Sequence, residues 1–523
     1  MSAIRVLLLM TGVLVLQSQG TSALRILGVF PLPGKSHFIL GENLMKELAR
    51  RGHSVDMVSH FPTKKPISNY RDISLLGSLP VAVNNISFQE TRNFNGLSMA
   101  FFVRHTGTQV CELLGSTYFQ DLMKTPKGTY DVIIVESFTA QCFLALGRHL
   151  DAPVVGLVAS KLHDWLFDPF ANPLNPSYMP SLFSSFTQRM NFWERLTNTL
   201  ITNVIGLQIN YYLREQVEQV EKYFNRRISS LNELYDDVSL LLVNEHFSIN
   251  EIKPATPDVI DVGGLHVHDS DQRLTPELQK WLDDSQNGCV YFTFGSMIKI
   301  ESLPLDKLKI LYETFERIAP VRVLMKIANA TNLPKGLPKN VMTSPWMPQV
   351  AVLKHKNVRA FITHGGLLGT QEALAHKVPM IGIPLFGDQH TNINSYANRK
   401  IAIALSVDTL SVESLTGAIN AILKDPIYSK NIAHVSELFL ARPMTALDTA
   451  VYWVEFTARH GTVLKSPATK LSWWQFHLLD VYGFILTCLL VLLYIVKKLA
   501  TIMWRLCCNR NNAKPISKAK KNR

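Results

Sequence analysis

Cysteine is scarce in this sequence, with six residues among 523. Cys111, Cys142 and Cys289 precede the apolar stretch near the C-terminus, and no CxxC pair or zinc-ligand spacing occurs. In an oxidising compartment three cysteines permit one disulfide at most, and buried thiols are an equal alternative. The cysteines therefore predict neither a disulfide framework nor a zinc site.

A glycine fingerprint for dinucleotide binding is also lacking. The first predicted strand, Arg25–Phe30, leads into the loop Pro31–Ser36, which does not contain G-x-G-x-x-G. A nicotinamide-dependent oxidoreductase is therefore not supported. The carboxylates Asp269 and Asp271 lie in a predicted linker and not at the end of a strand. We interpret this pair as a solvated turn and predict that no metal is required.

Acidic residues are absent from residues 497–523, which carry nine lysines and arginines. Most of the formal net charge of +12 therefore lies in this tail, and the rest of the chain is nearly neutral. A nucleic-acid-binding protein would carry its basic residues on the folded body. We predict no nucleic-acid partner.

Both ends of the chain carry membrane-related signals. Residues 1–23 combine one arginine, an apolar run and small polar residues, which predicts a signal peptide. Residues 478–496 are almost wholly apolar and follow Trp473 and Trp474, which predicts one transmembrane helix. The positive-inside rule assigns the basic tail, residues 497–523, to the cytosol and the body to the lumen.

Two further features agree with a lumenal body. Asn85-Ile-Ser and Asn329-Ala-Thr are glycosylation sequons. The last four residues, Lys520–Arg523, resemble a dilysine signal for return to the endoplasmic reticulum. A basic tail that only binds anionic lipid is the alternative. We expect a single-pass type I protein of the endoplasmic reticulum membrane.

Short apolar strands alternate with amphipathic helices in two blocks, residues 24–264 and 279–440. Residues 265–278 are the predicted linker, and residues 441–477 are predicted to form helices. This pattern is typical of α/β proteins with doubly wound parallel sheets, whose strands end at a ligand cleft. Residues 165–200 are rich in proline and aromatics; we interpret them as an irregular surface over the cleft, with a loop packed on its own domain as the alternative.

The stretch from Phe361 to Gln389 is the most informative part of the chain. A buried strand ends at His364-Gly365-Gly366, and a helix that contains Glu372 follows. Glycines allow close approach of a ligand, and the N–H groups of the helix favour an anionic group. A carboxylate within this helix suits ribose hydroxyls, and Asp388 with Gln389 suits a polyol. The arrangement predicts a nucleotide-sugar site; a doubly wound domain whose glycines only make turns is the alternative.

These motifs, together with Pro379 and Pro384, resemble the signature of the UDP-glycosyltransferases, and Gly387-Asp-Gln with Leu367-Leu368 is most similar to insect members. The resemblance covers essentially the whole chain. It implies the GT-B fold, in which two Rossmann-like domains face a cleft. Residues 24–264 would bind the acceptor and residues 279–440 the UDP-sugar, with residues 441–477 packing back on the first domain. The UDP-sugar is a co-substrate, and no cofactor is implied.

The reaction requires a base for the acceptor hydroxyl. The family pattern assigns this role to His37, which otherwise reads as a histidine that caps its own helix. A carboxylate on the other ring nitrogen would set the tautomer, and Glu136, at the end of a predicted strand, is our candidate. Many relatives have aspartate there, so the geometry of the longer glutamate is open. His149 and Asp151 are weaker alternatives.

The remaining site residues belong to the second domain. Trp346 is predicted to stack on the uracil and Gln349 to hydrogen-bond the base or ribose. A positively charged His364 would neutralise the leaving group. Leu368 stands where some relatives carry asparagine, so one phosphate contact is expected to be missing. The diphosphate, ribose and sugar contacts are assigned to Gly295, Ser296, His364, Gly365, Gly366, Glu372, Asp388 and Gln389.

The sequence thus predicts an inverting UDP-glycosyltransferase that transfers a sugar to small lipophilic acceptors. Insect-like features favour glucose, and glucuronic acid is the alternative donor sugar. A non-catalytic lumenal protein that binds a nucleotide sugar or a lipophile is a second class, because Glu136 and Leu368 depart from the common pattern. The acceptor's identity and homo-oligomer formation are left open.

Overall fold

The computed structural model describes residues 23–94, 99–267 and 273–511. The predicted signal peptide up to residue 22, the pair Asp269 and Asp271, and the tail from residue 512 with its dilysine signal lie outside the described residues. The chain divides after Lys465 into a large unit and a C-terminal unit. The large unit contains two parallel sheets.

The first sheet has the strand order β3-β2-β1-β4-β5-β6-β7 in the described residues. Neighbouring strands are parallel, and the order reverses at β1, which pairs with both β2 and β4. Ligands of doubly wound sheets bind at such a reversal, beyond the carboxyl ends of the strands. The strands are β1 Arg25–Phe30, β2 Ser54–Ser59, β3 Tyr70–Ser74, β4 Val132–Glu136, β5 Val154–Val158, β6 Val238–Val243 and β7 Val259–Asp261.

The second sheet has the order β10-β9-β8-β11-β12-β13 in the described residues, and it reverses between β8 and β11. The turn after β8 and the turn after β11 therefore lie side by side. Strands of both sheets are buried on both faces, as parallel sheets require. The strands are β8 Cys289–Thr293, β9 Arg322–Lys326, β10 Val341–Ser344, β11 Val358–Thr363, β12 Met380–Gly382 and β13 Ala402–Ala404.

Helices cover both faces of the two sheets. The longer ones in the large unit are Lys35–Arg50, Phe192–Leu213, Glu215–Phe224, Pro276–Asp283, Leu305–Arg317, Leu367–Ala375, Gln389–Asn398, Val412–Lys424, Pro426–Leu440 and Ala446–His460. Shorter helices include Phe88–Thr91, Ala100–Val103, Thr117–Met123, Ala145–Leu150, Phe247–Asn250 and Gln349–Lys354. The predicted α/β class with two Rossmann-like sheets is confirmed.

Two sequence-based boundaries differ from the structure. The stretch predicted to be irregular over residues 165–200 ends at Asn191, because Asn191 and Glu194 form a capping box that starts the helix Phe192–Leu213. The predicted linker 265–278 ends at Thr275, whose side chain caps the helix Pro276–Asp283. Leu278 and Leu282 are buried in the core below the second sheet, so this helix belongs to the second half.

The two halves of the large unit contact each other through backbone and side-chain hydrogen bonds. The amide of Asn84 donates to the carbonyl oxygen of Ser296 at 2.9 Å. On the other side, Gln371 Oε1 accepts from the amide of Gly264 at 3.2 Å, and its Nε2 donates to Asn244. These contacts hold the carboxyl ends of both sheets at one interface.

The helix Ala446–His460 follows the second half in sequence but packs on the helix Lys35–Arg50 of the first. Ala450, Val451 and Val454 are fully buried in the same core as Phe38 and Leu44. His53 Nε2 lies 3.1 Å from Glu455 Oε1, and Arg51 pairs with Asp448. This crossing ties the end of the large unit to its first helix.

The three cysteines of the large unit include both predicted kinds, a disulfide and a buried thiol. Cys111 and Cys142 form a disulfide. Cys289 is a buried thiol in β8, and burial raises its pKa to about 12. Cys289 is therefore protonated and behaves as a small apolar core residue.

The C-terminal unit contains the helix Leu479–Asn511. Its segment Leu479–Cys508 is long and apolar enough to cross a membrane. The helix continues beyond residue 496, the predicted end of the membrane span, and includes Lys497 and Lys498. Neither glycine nor proline occurs between residues 484 and 511, so nothing in the sequence ends the helix at the lysines.

Candidate active site

His37 and Glu136 form a hydrogen-bonded pair although they are 99 residues apart. His37 lies in the first turn of the helix that follows β1, and Glu136 ends β4. Because β1 and β4 are neighbours, their carboxyl ends bring the two side chains together. Nδ1 of His37 lies 2.8 Å from Oε1 of Glu136, whose side chain is only 5% exposed. The glutamate therefore reaches the imidazole despite its extra methylene.

Aromatic side chains surround this pair. The ring of Phe138 meets the His37 ring edge-on, with 4.8 Å between centroids. Phe102 lies 5.3 Å from Phe138, and Trp165 and Phe183 are its other aromatic neighbours. The half-buried faces of Phe102 and Phe183 make the surroundings of the imidazole apolar. A hydroxyl on an apolar molecule fits such an environment better than a charged one.

His163 is a second histidine beside His37, but it cannot take the same role. It is fully buried, stacks on Trp165 with 4.5 Å between ring centroids, and contacts Ser160 Oγ through Nε2 at 2.8 Å. Burial, with smaller effects from His37 and nearby lysines, lowers its pKa to about 3. His163 is thus a neutral core residue, whereas His37 retains an exposed ring edge.

His364 lies between two glycine turns at the reversal of the second sheet. A Cβ atom on Gly295 would come within 2.7 Å of His364 Cε1, and one on Gly366 within 2.7 Å of His364 Nε2. Gly295 also has a positive φ of 77°. Only glycine permits this close approach of both turns to the ring.

Two buried polar atoms at this position have no hydrogen-bond partner among the described residues, namely His364 Nδ1 and Ser296 Oγ. Buried polar atoms are rarely left unpaired unless a ligand or water satisfies them. The free amides at the start of the helix Leu367–Ala375 lie at the same turn. Together these groups form an anion cradle that fits a diphosphate.

The positively charged His364 that would neutralise the leaving group stays a prediction, and the unliganded site holds the ring in its neutral form. Burial, with a smaller effect from Lys326, lowers the pKa of His364 to about 4, so the ring is neutral at neutral pH. The cation of the cradle is Lys326, which sequence reasoning missed. Its Nζ donates to the carbonyl oxygen of Gly295 at 2.6 Å and lies 5.4 Å from the centroid of the Trp346 ring.

Burial lowers the pKa of Lys326 to about 8, although nearby Glu301 opposes this shift. Burial of a lysine that lacks a directly bonded carboxylate disfavours its charged form, and a bound anion would restore it. The sequence signal was a lysine that ends the apolar strand Val323-Leu-Met-Lys326. A charge at that position lies at the carboxyl edge of the sheet, where ligands bind.

The carboxylate of Glu372 is buried and hydrogen-bonded to Gln349. Gln349 Nε2 donates to Glu372 Oε2 at 2.5 Å, and Gln349 Oε1 accepts from the hydroxyl of Tyr291 at 3.1 Å. His266 Nε2 lies 3.5 Å from Glu372 Oε1. Burial raises the pKa of Glu372 to about 7, and the bond from Gln349 opposes this rise. In this state Gln349 positions Glu372; a direct bond from Gln349 to a base remains a prediction.

Asp388 and Gln389 lie at the start of the helix Gln389–Asn398, as predicted. Gln389 Oε1 accepts from the amides of Leu385 and Phe386 at 2.9 and 3.1 Å, which fixes the preceding loop. Burial raises the pKa of Asp388, and Asn392, Lys161 and His37 oppose this rise. The influence of His37 on Asp388 means that the two halves bring these residues close to one another.

Trp346 follows β10 and is 47% exposed, as a stacking surface for a ligand would be. It borders a cavity together with Arg273, Thr343 and Ser344. A planar base can therefore reach the indole from solvent.

The profile of the family described as UDP-glucoronosyl and UDP-glucosyl transferase matches residues 81–514. The chain belongs to the UDP-glycosyltransferase family. It is accordingly a glycosyltransferase, and the resemblance stated from His364, Glu372 and Asp388-Gln389 is confirmed.

Curated relatives of this UDP-glycosyltransferase come from insects and vertebrates. UDP-glucosyltransferase 2 of Dactylopius coccus is 35% identical over 498 residues, which cover 92% of this chain and 93% of the relative. UDP-glycosyltransferase UGT5 of the same insect is 34% identical, and the alignment covers 95% of this chain and 96% of the relative. UDP-glucuronosyltransferase 1A8 of Rattus norvegicus is 29% identical, with 92% of each chain covered.

A solved structure, the glycotransferase of kitacinnamycin, superposes with a TM-score of 0.54 at 17% identity. The alignment covers 84% of this chain and 98% of that protein. At this identity the likeness concerns the fold alone. It supports the GT-B arrangement that the resemblance implied for this UDP-glycosyltransferase.

The two weaker alternatives for the partner of His37, His149 and Asp151, lie away from it in the structure. His149 Nε2 lies 2.9 Å from the carbonyl oxygen of Met123, and Asp151 precedes β5, so neither reaches the carboxyl edge where His37 lies. Leu368 contributes its carbonyl oxygen to His266 Nε2 at 3.1 Å. The side chains of the sequons, Asn85 and Asn329, are exposed.

Within residues 23–94, 99–267 and 273–511, no group of three histidine, cysteine, aspartate or glutamate side chains is placed to hold a metal ion. The expectation that no metal is required stays a prediction.

Proposed function

We propose that this UDP-glycosyltransferase transfers a sugar, with inversion, from a UDP-sugar to a hydroxyl group of a small lipophilic acceptor. The contact between His37 Nδ1 and Glu136 Oε1 carries this proposal. It leaves Nε2 of the imidazole for the acceptor proton and provides a carboxylate that stabilises the imidazolium. The aromatic side chains Phe102, Phe138 and Phe183 favour an apolar acceptor.

The proposed reaction is a single displacement. The acceptor oxygen forms a bond to the anomeric carbon while the bond from that carbon to the UDP oxygen breaks. His37 Nε2 accepts the hydroxyl proton as the new bond forms. The electron pair of the broken bond leaves with UDP, whose β-phosphate carries the developing charge.

The second half would bind the donor. Ser296 Oγ, the His364 ring and the amides of Gly365 and Gly366 contact the diphosphate, and Lys326 compensates its charge. Trp346 stacks on the uracil, and Glu372 binds the ribose with support from Gln349. Asp388 and Gln389 bind the transferred sugar. Burial raises the pKa of the Glu372 carboxyl to about 7. At this pKa the carboxyl can share a proton with the ribose hydroxyls of the donor.

We propose glucose as the donor sugar, supported by the 35% identity to an insect protein named a glucosyltransferase. Glucuronic acid is the alternative, supported by the 29% identity to a rat glucuronosyltransferase. Membranes that contain the protein are assayed with each UDP-sugar and a panel of phenols. Turnover with UDP-glucuronic acid alone contradicts the choice of glucose.

We further propose that the helix Leu479–Asn511 anchors the protein in the membrane of the endoplasmic reticulum, with the body lumenal and the tail cytosolic. The apolar segment Leu479–Cys508 supports anchoring, and the exposed side chains of Asn85 and Asn329 agree with a glycosylated body. The test is a shift in apparent mass after endoglycosidase treatment of detergent-solubilised microsomes, together with protection of the body from external protease in intact microsomes. The orientation is contradicted if neither asparagine carries a glycan and external protease digests the body.

A further inference from the structure

The segment that follows β7 leaves the first half and brings one of its side chains to the second. The amide of Leu265 donates to the carbonyl oxygen of Val262 at 3.0 Å, which closes a turn. Leu265 is buried in the core of the first half. The next residue, His266, is also buried, but it contacts the helix Leu367–Ala375 of the second half. The turn therefore directs a histidine of this segment at the helix that carries Glu372.

The backbone of Gly264 holds this segment against the second half. Its φ is 81°, and a Cβ atom there would come within 2.6 Å of the Phe439 ring, so only glycine fits. The amide of Gly264 donates to Gln371 Oε1 at 3.2 Å. Gln371 is the neighbour of Glu372 in sequence, so this bond fixes the distance between the segment and the carboxylate.

The hydrogen-bond partner of His266 determines which ring nitrogen carries the hydrogen. Nε2 lies 3.1 Å from the carbonyl oxygen of Leu368, which can only accept, so Nε2 is the donor. The same Nε2 lies 3.5 Å from Glu372 Oε1. One N–H group therefore faces both oxygens.

The carboxylate of Glu372 thus has a polar neighbour on each oxygen. Gln349 Nε2 donates to Oε2 at 2.5 Å, and His266 Nε2 faces Oε1. Neighbours on both oxygens restrict rotation of the carboxylate plane, and each oxygen retains a further lone pair for a ligand. Gln349 belongs to the second half and His266 to the segment that leaves the first, so the plane is set from both halves.

We propose that His266 is a positioning residue for ribose recognition, whose Nε2–H orients Glu372 so that the carboxylate accepts from both ribose hydroxyls of the donor. This inference rests on the contact between Glu372 and the ribose under Proposed function. His266 acts through Glu372 and not on the nucleotide itself. Recognition of the ribose in the second half consequently requires the first half to lie against it.

The test compares UDP with 2′,3′-dideoxy-UDP, which lacks both ribose hydroxyls, by calorimetry on the full-length protein in detergent at pH 8. At this pH the Glu372 carboxyl, whose pKa is raised by burial to about 7, is mostly charged. His266→Asn keeps a polar side chain that is too short to reach Oε1. It should weaken UDP binding by about 2- to 10-fold, the effect of one hydrogen bond, and leave the affinity for the dideoxy nucleotide unchanged.

His266→Gln places its amide nitrogen near the position of Nε2 and should restore the affinity for UDP. The matched control is His149→Asn, at a histidine whose Nε2 also lies 2.9 Å from a backbone carbonyl oxygen, and it should bind both nucleotides like the unsubstituted protein. If His266→Asn shows no melting transition, His266→Phe, which retains a ring without a donor, takes its place.

Equal losses of affinity for the two nucleotides in His266→Asn indicate a structural role only and overturn the proposal. So does a His266→Gln variant that binds UDP as weakly as His266→Asn. Failure of the ribose contact has another signature, because Glu372→Gln then leaves the ratio of the two affinities unchanged. A ratio that falls in Glu372→Gln but not in His266→Asn supports the ribose contact and refutes the role of His266.

Discussion

The ammonium group of Lys326 donates a 2.6 Å hydrogen bond to the carbonyl oxygen of Gly295 and so lies in the turn that leads to Ser296. This contact places a buried cation beside the two unpaired polar atoms of the cradle, His364 Nδ1 and Ser296 Oγ, whose partners are absent among the described residues. The His364 ring is neutral in the unliganded site, so Lys326 supplies the positive charge of the cradle before the donor binds.

Lys326→Met should weaken UDP binding by about 10- to 100-fold, because a hydrogen bond to a charged group contributes about 1.5 to 3 kcal/mol. Calorimetry with UDP measures this change. Lys280→Met, at an exposed lysine of the same half that pairs with Asp284, is the matched control and should leave the affinity unchanged. Equal affinities of Lys326→Met and the unsubstituted protein contradict the assignment.

Binding of UDP should also depend on pH through Lys326. Since its pKa in the unliganded site is lowered to about 8, the lysine is charged below that pH and loses its proton above it. Affinity for the anion should therefore fall as pH rises beyond about 8. The same titration with Lys326→Met should lack this decrease, and a decrease that persists in the variant assigns it to another group.

His37→Ala should abolish sugar transfer while UDP binding persists, because the imidazole contacts the acceptor and not the nucleotide. General-base catalysis accounts for about 100- to 10,000-fold in rate. Glu136→Gln retains the size of the partner but removes its charge, and it should lower kcat with little effect on the KM for the UDP-sugar. Retained turnover in His37→Ala refutes the role of the base.

The sequence predicted the architecture and the contact between His37 and Glu136, because both follow from local patterns. His37 and Glu136 each end or follow a buried strand, and adjacency of β1 and β4 in a doubly wound sheet brings such residues together. The sequence located His364 at the end of a strand, but it did not indicate that the ring is neutral in the unliganded site. The charge of the ring depends on how deeply it is buried. Gly295, Gly366 and other segments distant in sequence bury it, and the residues next to His364 do not indicate this packing.

Sequence analysis did not assign Lys326 to the site for a related reason. A lysine at the end of a strand is usually a solvated charge, and only the packing of Trp346 and Glu301 around it shows that it is buried. The helix runs past the predicted boundary at residue 496 because lysines limit a membrane span but do not end a helix. Hydropathy and helix propensity are separate properties of the same residues.

The disulfide should contribute substantially to the stability of the first half. Cys111 and Cys142 are 31 residues apart, and a crosslink of that loop length restricts the unfolded chain by about 3 to 4 kcal/mol. Replacing both cysteines by alanine should lower the melting temperature in detergent. Cys289→Ala, at the buried thiol, is the control that separates loss of the crosslink from loss of a cysteine side chain. Equal decreases in the two variants contradict a stabilising role for the disulfide.

Glu372→Gln should stabilise the protein at pH 8 and weaken UDP binding. Burial raises the pKa of Glu372 from 4.5 to about 7, so the folded state holds this proton more tightly than the unfolded chain. The resulting stability is fully present below about pH 4.5 and is lost as pH rises through about 7, a difference of at most about 3 kcal/mol. Glutamine stays neutral, so the variant avoids that loss.

The melting temperature of Glu372→Gln should therefore exceed that of the unsubstituted protein by a few degrees at pH 8, and the two should nearly coincide at pH 5. Glu316→Gln, at an exposed glutamate of the same half, should show no such dependence. The gain in stability should accompany a loss of UDP affinity, because the amide offers the ribose hydroxyls one acceptor where the carboxylate offers two. A variant that melts at the same temperature as the parent at both pH values contradicts the burial of a charge at this site, whereas unchanged UDP affinity contradicts its contact with the ribose.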